Sequence, residues 1–496
     1  MFLTKLLVRI NNLIMYIITT PIPYTNAAPH LGHLLEGLYT DTLYKYQKYI
    51  KASKPFLTMG LDQHGLKIYQ AAIKENIAPE FFVDQTGKIF VDLWKKFNVE
   101  YSEFVPTHSK RHILFSQAIF RVLQKNNHIF KKDYKGLYCV GCEDFYAPTQ
   151  LTEEGCCPVH LTKPIEMEET NYFFRLSNFE NEVLDFLNQV KLKPSNIANE
   201  WRSFINQGLQ DISCSREKSR LPWGIEVTND SSQVMYVWFE ALLNYCSALF
   251  TESELETLAD NEIVNKLRDQ YPIDLMYCSK EISKFHLVIF PALLVALDVP
   301  LPIRCIAHGM INDDNGIKMS KSLGNVITPE QVLTDYTIDE TRFIFLHEIN
   351  IFGDSNFNRD IIKANYNTFL ANNLGNIFTR VTTLASKFGY DLSSNESSYN
   401  WDKYHDFFEE GDCKLAFDEI FKACSQGNEY LENTKPWELS KEIDQQQRIK
   451  EVLGSSINLL KDISKHLYPF MPETSQYLTK ALEGEIVKIN PVFIRK

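Results

Sequence analysis

The start of the chain has the pattern of a strand, a proline-containing loop and a helix, and this succession constrains the fold more than any other feature. Met15–Thr20 (M-Y-I-I-T-T) is a short run with strand character, and helical spacing follows from about His30 to Tyr49. Patterns of buried strands recur at Pro55–Met59 and Met276–Ser279. Apolar strands that alternate with helices form parallel sheets with helices on both faces. We therefore predict a doubly wound α/β domain.

Length and composition place this domain within a larger globular chain. Its 496 residues exceed what one hydrophobic core supports and predict roughly two to four domains. After about Ala364, apolar residues recur at spacings of three and four, which predicts a C-terminal helical bundle. The formal net charge of −12 argues against indiscriminate nucleic-acid binding but allows local basic patches. No apolar run reaches about eighteen residues, so we expect no membrane-spanning helix.

Residues 1–14 are mostly apolar, with Lys5 and Arg9 and no acidic residue. Two interpretations fit this extension: a short targeting segment, or residues upstream of a true start at Met15, directly before the first strand. We favour the second interpretation, because the segment is short for a transit peptide and has no serine or small-residue cleavage pattern.

The first motif with chemical content is His30-Leu31-Gly32-His33. Residues three apart on a helix share one face, so both imidazoles would point the same way. Pro29 suits the entry to a helix, where backbone N–H groups and the helix dipole favour an anion. Gly32 would let a flat nucleotide base approach, and two imidazoles over a phosphate would stabilise charge that develops there. Taken alone, two histidines at this spacing are more often structural or metal-binding.

A second motif, Lys318-Met319-Ser320-Lys321-Ser322, lies between Asn315-Gly316 and Gly324-Asn325. Two lysines three residues apart in a glycine-flanked loop are able to close on a polyphosphate, because each ammonium group is a mobile point charge. On its own, such a stretch is usually a solvated surface loop. The motif becomes informative only together with the two histidines.

A cluster of potential metal ligands follows the first motif. Cys139 and Cys142 form a C-x2-C pair, and Cys156, Cys157 and His160 come shortly afterwards. A C-x2-C pair with a downstream C-x2-H supplies three thiolates and one imidazole, the closed ligand set of a structural zinc. Cys156 is an alternative third ligand to Cys157. The other cysteines among the ten are scattered singly, which indicates a reducing, cytoplasmic compartment rather than a disulfide framework.

The histidine motif followed by the lysine motif is the signature pair of class I aminoacyl-tRNA synthetases, and the chain resembles the methionyl-tRNA synthetases over nearly its whole length. Thr19–His33 is similar to that family's opening segment, and Asp62-Gln63-His64-Gly65 to its D-x-H-G element. Tyr236–Leu242, continued by Asn244-Tyr245, resembles its Y-V-W-F-D-A segment. The resemblance implies an enzyme with a Rossmann-like α/β catalytic domain, a zinc-knuckle insertion and an all-α anticodon-binding bundle.

The resemblance also implies a reaction and a division of the chain. The carboxylate of L-methionine would attack the α-phosphate of ATP, which carries magnesium, to give methionyl-adenylate and pyrophosphate. The methionyl group would then pass to the 3′ end of initiator and elongator methionine tRNA. We expect a monomer, because no appended tRNA-binding domain is visible. The expected units are 1–14, an extension; 15–130 and 206–310, the two halves of the catalytic domain; 131–205, the zinc-knuckle insertion; 311–363, the signature loop and stem-contact region; and 364–496, the anticodon-binding domain.

The family's catalytic and substrate-binding positions have counterparts in this chain. Catalysis is expected from His30, His33, Lys318 and Lys321, which would also bind ATP together with Gly32 and Ser320. Asp62 would hold the methionine ammonium, and Arg216 would keep that carboxylate ionised. Aromatic walls suit the substrate, because a soft thioether makes favourable contacts with rings. The remaining methionine-binding residues would be Ile22, Tyr24, Trp238, Tyr245, Glu281 and His286.

Two further sites follow from the same resemblance. One structural zinc is expected on Cys139, Cys142, Cys157 and His160, and Cys157 is preferred over Cys156 because Cys-Pro-x-His matches the family's knuckle. The family reads its anticodon with an Asn and an Arg one helical turn apart and a Trp after Pro. Unstacked bases stack on an indole and hydrogen-bond to such side chains. The anticodon-binding residues would be Asn376, Arg380 and Trp437.

Three positions depart from the family pattern. Ser279 stands in place of a glycine, and Glu281 and Glu240 stand in place of aspartates. The longer acids keep the charge but add a methylene, so the position of each carboxylate is open. One alternative is a class I synthetase for another apolar amino acid, but its usual editing insertion finds little room in 496 residues. A non-catalytic tRNA-binding paralogue is the other, which loss of His33 or Lys321 would mark; both are present.

Overall fold

The structure is a computed structural model that describes residues 15–139, 144–146, 148–159, 161–319 and 323–496. Some of the predicted features lie outside the described residues: the extension 1–14, Cys142, His160, Ser320 and Lys321. In the part of the chain that the structure describes, no helix is both long and apolar enough to cross a membrane.

The strands of the described residues form one parallel sheet and several smaller sheets. In chain order they are β1 (Tyr16–Thr19), β2 (Pro55–Leu61), β3 (Glu103–Pro106), β4 (Ile129–Cys139), β5 (Asp144–Tyr146), β6 (Ile165–Phe174), β7 (Lys191–Lys193), β8 (Ile212–Ser213), β9 (Ser215–Glu217), β10 (Glu226–Val227), β11 (Asp230–Met235), β12 (Leu275–Ser279), β13 (Arg304–His308), β14 (Ile311–Asn312) and β15 (Ser355–Asn356).

Helices cover the parallel sheet and make up the C-terminal part of the chain. In chain order they are α1 (Leu31–Lys45), α2 (Leu66–Lys74), α3 (Pro79–Lys96), α4 (Lys110–Lys125), α5 (Glu180–Gln189), α6 (Ile197–Ile205), α7 (Val237–Glu240), α8 (Asn244–Ser247), α9 (Glu252–Thr257), α10 (Asp260–Gln270), α11 (Phe290–Ala296), α12 (Pro329–Val332), α13 (Ile338–Phe343), α14 (Arg359–Asn365), α15 (Gly375–Phe388), α16 (Asp402–Glu409), α17 (Cys413–Thr434), α18 (Pro436–Leu439), α19 (Gln446–Leu467) and α20 (Pro472–Ala481). Wider helical turns adjoin some of them, at Tyr46–Ile50, Phe285–Ile289, Ile344–Glu348 and Tyr366–Leu374.

The parallel sheet has the strand order β3-β2-β1-β12-β13-β7. The chain moves outward from β1 to β2 and β3, and it later returns to the other side of β1 as β12, where Ile18 of β1 lies between Leu57 and Leu275. In open α/β sheets, ligands bind at such a switch point, beyond the carboxyl ends of the strands. The doubly wound α/β fold is confirmed, and the strands predicted around Met15–Thr20, Pro55–Met59 and Met276–Ser279 are its β1, β2 and β12.

An antiparallel sheet of order β5-β4-β6-β8 forms an arm beside the parallel sheet. β4 and β6 pair along their length, from Ile129 opposite Phe174 to Tyr138 opposite Ile165. Ile129 and Phe174, at the base of the arm, are buried in the core that also covers the parallel sheet. The far end of β4 carries Cys139. The arm therefore presents the first predicted zinc ligand at the end remote from the main core.

The C-terminal region is helical, as its apolar spacing predicts. α15, α17 and α19 pack on one another, and α20 packs on α19; together with α16 and α18 they form what we call the helical bundle. Ile377, Phe421 and Leu460 belong to its buried core. The same core continues to Leu34 and Leu38 of α1, so the bundle packs directly on the helix that begins with the histidine motif.

Candidate active site

The histidine motif lies at the N-terminus of α1, directly after the loop that leaves β1. His30 is the N-cap residue, and its Nδ1 accepts a hydrogen bond of 3.1 Å from the Gly32 N–H. The His33 Nδ1 accepts one of 3.3 Å from the His30 N–H. The two rings stack with centroids 3.7 Å apart and planes 21° apart. The pair is therefore held in place by the backbone of the helix end.

This arrangement decides which ring nitrogens carry protons. Burial, assisted by the neighbouring His30, holds the pKa of His33 well below its ordinary value, so its imidazole is neutral. Because Nδ1 accepts in both rings, the proton of each neutral imidazole lies on Nε2. Both histidines thus offer an Nε2–H donor at a helix N-terminus, where the dipole and the unpaired amides favour an anion.

Gly32 allows this ring geometry. A Cβ at this position would lie 2.9 Å from His30 Cε1 and 3.0 Å from His30 Nδ1. Any larger residue would push the capping imidazole away from the helix end. The sequence predicts a glycine here so that a nucleotide base can approach, and the ring of His30 is a second reason for it.

The lysine loop reaches the same side of the sheet. Lys318 forms an ion pair with Glu281, on the turn that follows β12, and both side chains are about half exposed. Lys280 of that turn pairs with Asp354 at 2.6 Å. Met319 packs on the main core, and its sulfur accepts a hydrogen bond from the Ile327 N–H at 3.4 Å. Met319 thus anchors the described part of the loop, and Glu281 faces Lys318.

Asp62 lies at the end of β2 and holds the loop that follows β1. Its backbone N–H donates to the Pro23 carbonyl at 2.8 Å, and its carbonyl accepts from the Thr25 N–H at 3.0 Å. This two-sided pairing places Tyr24 directly opposite Asp62. The loop that carries Ile22 and Tyr24 is therefore fixed beside the predicted ammonium site.

A glycine in β2 brings this loop to the helices that follow β11. A Cβ on Gly60 would lie 2.4 Å from the Val105 carbonyl oxygen, 2.8 Å from Asn244 Oδ1 and 2.9 Å from Ile22 Cγ2. Asn244 Nδ2 in turn donates to the Val105 carbonyl at 2.7 Å. Ile22 thus lies next to α8, which carries Tyr245. Our sequence analysis missed Gly60, although a glycine inside a strand is a signal of close backbone approach.

Tyr245 and His286 form a buried hydrogen bond of 2.7 Å between the phenol and Nε2. The His286 Nδ1 lies 2.9 Å from the Ile282 carbonyl, which only accepts, so Nδ1 donates. Burial lowers the pKa of His286 to about 4, so the ring is neutral and Nε2 accepts from the Tyr245 hydroxyl. Burial raises the pKa of Tyr245, and the charges of carboxylates including Asp62 act in the same direction, so the phenol stays protonated.

Aromatic rings complete the surroundings of this pair. Trp238 on α7 makes an edge contact with Phe285, at 4.3 Å between ring centroids, and Phe285 adjoins His286. Arg216 on β9 is buried and lies 3.8 Å above the ring of Tyr236, while its Nη1 donates to the Ser213 hydroxyl at 2.8 Å. The structure therefore brings most of the predicted methionine-binding residues to one region. The pairing of Arg216 with Asp62 stays a prediction.

Glu240, one of the departures, is fully buried between two histidines. One carboxylate oxygen lies 2.9 Å from His64 Nδ1, and the other lies 2.7 Å from His112 Nε2. Burial acts to raise the pKa of Glu240, but the two histidines outweigh it and lower that pKa below its ordinary value. His64 belongs to the D-Q-H-G element, so Glu240 ties the Asp62 loop to α7 and α4. The longer side chain lets one carboxylate reach both imidazoles, and nothing in the sequence alone indicates this.

The predicted anticodon residues also meet, on the surface of the helical bundle. Asn376 and Arg380 on α15 both contact Asn428 Oδ1 of α17, at 3.4 and 3.2 Å. Arg380 also pairs with Glu432 at 2.7 Å, and its guanidinium carbon lies 5.5 Å from the ring centre of Trp437. Our sequence analysis missed Asn428 and Glu432, although they lie one helical turn apart, as Asn376 and Arg380 do.

Cys139 and Cys157 are both buried and pack together beside Tyr146 near the end of the arm. Cys156 is partly exposed, and its sulfur lies near the Glu154 carbonyl. Among the residues that the structure describes, no cluster of three or more His, Cys, Asp and Glu side chains has metal-binding geometry. Cys142 and His160 lie outside the described residues, so the described half of the set is Cys139 and Cys157, with Cys157 rather than Cys156 beside Cys139.

A parallel sheet with paired histidines at its switch point and a lysine loop on the same side defines a class I aminoacyl-tRNA synthetase. A family model described as tRNA synthetases class I (M) matches residues 16–163 and 148–382. A second model, the anticodon binding domain of methionyl tRNA ligase, matches residues 392–490. Together these matches cover both the α/β domain and the bundle.

Relatives and solved structures agree with this class. The methionine–tRNA ligase of Clostridium acetobutylicum is 33% identical over 489 residues, which is 95% of this chain and 74% of the relative. That of Helicobacter pylori is 34% identical over 494 residues, or 96% and 74%. The methionyl-tRNA synthetase of Mycobacterium tuberculosis, solved with methionyl-adenylate, is similar at a TM-score of 0.83 and 28% identity over 93% of each chain. The chain belongs to the methionine–tRNA ligase family, as the sequence predicts, and it activates methionine and charges tRNA.

The hydroxyl of Tyr245 has a measurable consequence. We expect Tyr245→Phe to raise the KM for methionine about tenfold, or ~1.4 kcal/mol, because His286 loses the donor that orients it. Methionine-dependent ATP–pyrophosphate exchange gives this value. The control is Tyr271→Phe, which removes a buried hydroxyl bonded to Cys246 at 3.0 Å and should leave the KM unchanged. Equal KM values in the two variants would contradict the role of Tyr245.

Glu240→Gln should destabilise the catalytic domain by about 1–3 kcal/mol, because an amide cannot accept from both histidines. Urea denaturation followed by tryptophan fluorescence measures this loss. Glu396→Gln is the control, since it breaks an exposed ion pair with Arg448 and should cost less than about 1 kcal/mol. The interpretation fails if both variants unfold at the same urea concentration.

Proposed function

We propose that the phosphates of ATP bind over the stacked rings of His30 and His33 at the N-terminus of α1. The observation that carries this assignment is the pair of Nε2–H donors, which the backbone of the helix end holds in one direction. Charge builds on the α-phosphate during attack, and preoriented donors stabilise it without reorganising. Gly32 keeps the approach open, and Lys318, Ser320 and Lys321 close on the β- and γ-phosphates.

The methionine carboxylate attacks the α-phosphorus, the bond to the bridging oxygen breaks, and pyrophosphate leaves. The nucleophile is already ionised, so no general base is needed, and positioning and charge stabilisation supply the catalysis. The 3′-terminal hydroxyl of tRNA then attacks the adenylate carbonyl, and AMP leaves. Magnesium enters with ATP, where its charge offsets that of the phosphates.

Methionine binds between the loop after β1 and the turn after β12. Asp62 takes the ammonium group, with Arg216 as its partner, and Glu281 lies at the rim, where it faces Lys318. Ile22, Tyr24, Trp238, Tyr245 and His286 surround the thioether. His286 is neutral because burial depresses its pKa, so the pocket presents rings rather than a charge to the sulfur.

Methionine tRNA, initiator and elongator, binds with its anticodon on the helical bundle. Asn376 and Arg380 project from one face of α15, and Arg380 lies over the indole of Trp437. An unstacked base is able to enter between the amide, the guanidinium and the ring, which offer hydrogen bonds and a stacking surface. The monomeric state and the cytoplasmic location remain predictions from the sequence.

One structural zinc ion is proposed at the end of the arm. The buried pair of Cys139 and Cys157 fits such a site, since two thiols packed together at the end of a narrow hairpin lack a large core to stabilise them. Cys142 and His160 would complete a tetrahedral set. Bound zinc would supply folding energy to the arm and take no part in the reaction.

Methionine-dependent ATP–pyrophosphate exchange tests the proposed function, and Lys321→Ala tests the loop. We expect exchange with methionine but not with other amino acids, and a fall in kcat of about 100-fold in Lys321→Ala with little change in methionine KM. Lys110→Ala is the control, because Lys110 is an exposed lysine whose ion pair is with Glu252 of α9. Exchange at the wild-type rate in Lys321→Ala would remove this lysine from the role.

Purified protein should contain about one zinc ion per chain, measured by elemental analysis. Cys139→Ser should abolish zinc retention and destabilise the arm, because zinc binding to small domains contributes on the order of 10 kcal/mol. The control is Cys424→Ser, which alters a buried cysteine of α17 and should retain zinc. Zinc-free wild-type protein, with stability unchanged in Cys139→Ser, would overturn the site.

A further inference from the structure

A cluster of charges is buried where α1 meets the helical bundle. Asp41 and Lys45 lie on α1, and Arg342 lies on α13; their side chains are 0, 1 and 0% exposed. Asp41 pairs with Lys45 at 2.6 Å and with Arg342 at 2.7 Å. Charged groups are rarely buried so completely unless their partners are fixed.

Arg342 uses its guanidinium to join separate parts of the chain. Its Nε donates to the Phe470 carbonyl at 2.6 Å, and its Nη2 donates to the Pro469 carbonyl at 2.9 Å, both in the turn between α19 and α20. Nη1 donates at 3.2 Å to the carbonyl of Phe97, the residue that follows α3. The guanidinium of Arg342 thus contacts α1 through Asp41, the end of α3 through Phe97, and the bundle.

Asp41 is held equally firmly on the catalytic side. Besides the two cations, its Oδ1 accepts a hydrogen bond of 2.8 Å from the Glu100 N–H. α1 is a continuous helix from the histidine motif to this aspartate, and eight residues separate His33 from Asp41, a rise of about 12 Å. The two histidines and Asp41 therefore belong to one rigid element, and Asp41 marks where that element meets the helical bundle.

Arg342 joins α1 to the bundle beside other contacts, which include the hydrogen bond from the Tyr39 hydroxyl to the Gly411 carbonyl. A guanidinium donates in a fixed plane, so Asp41 and the two carbonyls of the bundle cannot move independently while it holds them. A lysine would keep the charge but, with its single tetrahedral head, would not span both the carboxylate and the two carbonyls in this geometry. Arg342 thus ties the position of Asp41 on α1 to that of the turn between α19 and α20.

We infer that Arg342 is a positioning residue that holds the anticodon-binding bundle at the angle that presents the tRNA 3′ end to His30 and His33. This inference rests on the proposed function, because it needs one tRNA to occupy both places at once. A tRNA gains affinity from two connected sites only when their geometry lets it occupy both at once. Adenylate formation needs no tRNA, so the contacts of Arg342 affect only the transfer of the methionyl group to tRNA.

Three measurements on Arg342→Met separate this role from a general loss of structure. ATP–pyrophosphate exchange should stay within about threefold of wild type, and so should the Kd for an RNA hairpin with a CAU anticodon. Single-turnover transfer from preformed methionyl-adenylate to full-length tRNA should fall by about tenfold or more. Arg342→Lys should show the same pattern in a protein that retains the positive charge beside Asp41, in case Arg342→Met does not fold.

Arg121→Met is the matched control. Arg121 also pairs with an aspartate through two donors, to Asp260 at 2.6 and 2.9 Å, but on α4 and away from the bundle. Its exchange, hairpin binding and transfer should all match the wild type. Wild-type transfer in both Arg342 variants, or an equal fall in all three measurements, would overturn the role of Arg342. Failure of the proposed function would instead appear in the unaltered chain, as absent methionine-dependent exchange or absent hairpin binding.

Discussion

Both the histidine motif and the helical bundle depend on helix α1, and a buried ion pair holds this helix in place. Its N-terminus carries the two imidazole donors that are proposed to face the phosphates, and the amides of His30 and Gly32 hold those rings in place. Its other half is covered by the helical bundle and anchored by Asp41 to Arg342. Burying this pair is costly unless the donors find acceptors, and the carbonyls of Phe470, Pro469 and Phe97 accept from all three nitrogens of the guanidinium. The same contacts that satisfy the charge therefore orient the helix.

The substrate region relies on neutral, oriented groups more than on charge. His33 and His286 both have pKa values depressed by burial, and each has one ring nitrogen engaged by the backbone. The backbone contact sets the tautomer: His33 carries its proton on Nε2, and His286 accepts through Nε2 from Tyr245. A fixed tautomer gives each ring one defined role at neutral pH. This suits phosphate binding at one ring and an uncharged thioether pocket at the other.

The two acidic departures from the family pattern have different consequences. Glu240 lies in the core, where its longer side chain places one carboxylate oxygen beside His64 and the other beside His112. Glu281 lies on an exposed turn, and there the longer acid reaches Lys318 of the signature loop. Glu240 thus stabilises the core behind the predicted methionine pocket. Glu281 instead connects the turn after β12 to the loop that is proposed to close on ATP.

The sequence by itself determined the strand–loop–helix start, the two signature motifs, the helical C-terminal region and the family, because these are local patterns with fixed spacing. The resemblance to the family also points to Asn376, Arg380 and Trp437, which stay predicted anticodon residues. The sequence did not reveal Gly60, Asn428, the bridge made by Glu240 or the joint made by Arg342. Each of these depends on partners that are remote in the chain and adjacent only in the fold. Local periodicity reports which face a residue occupies, whereas tertiary packing alone decides which charge or carbonyl lies opposite it.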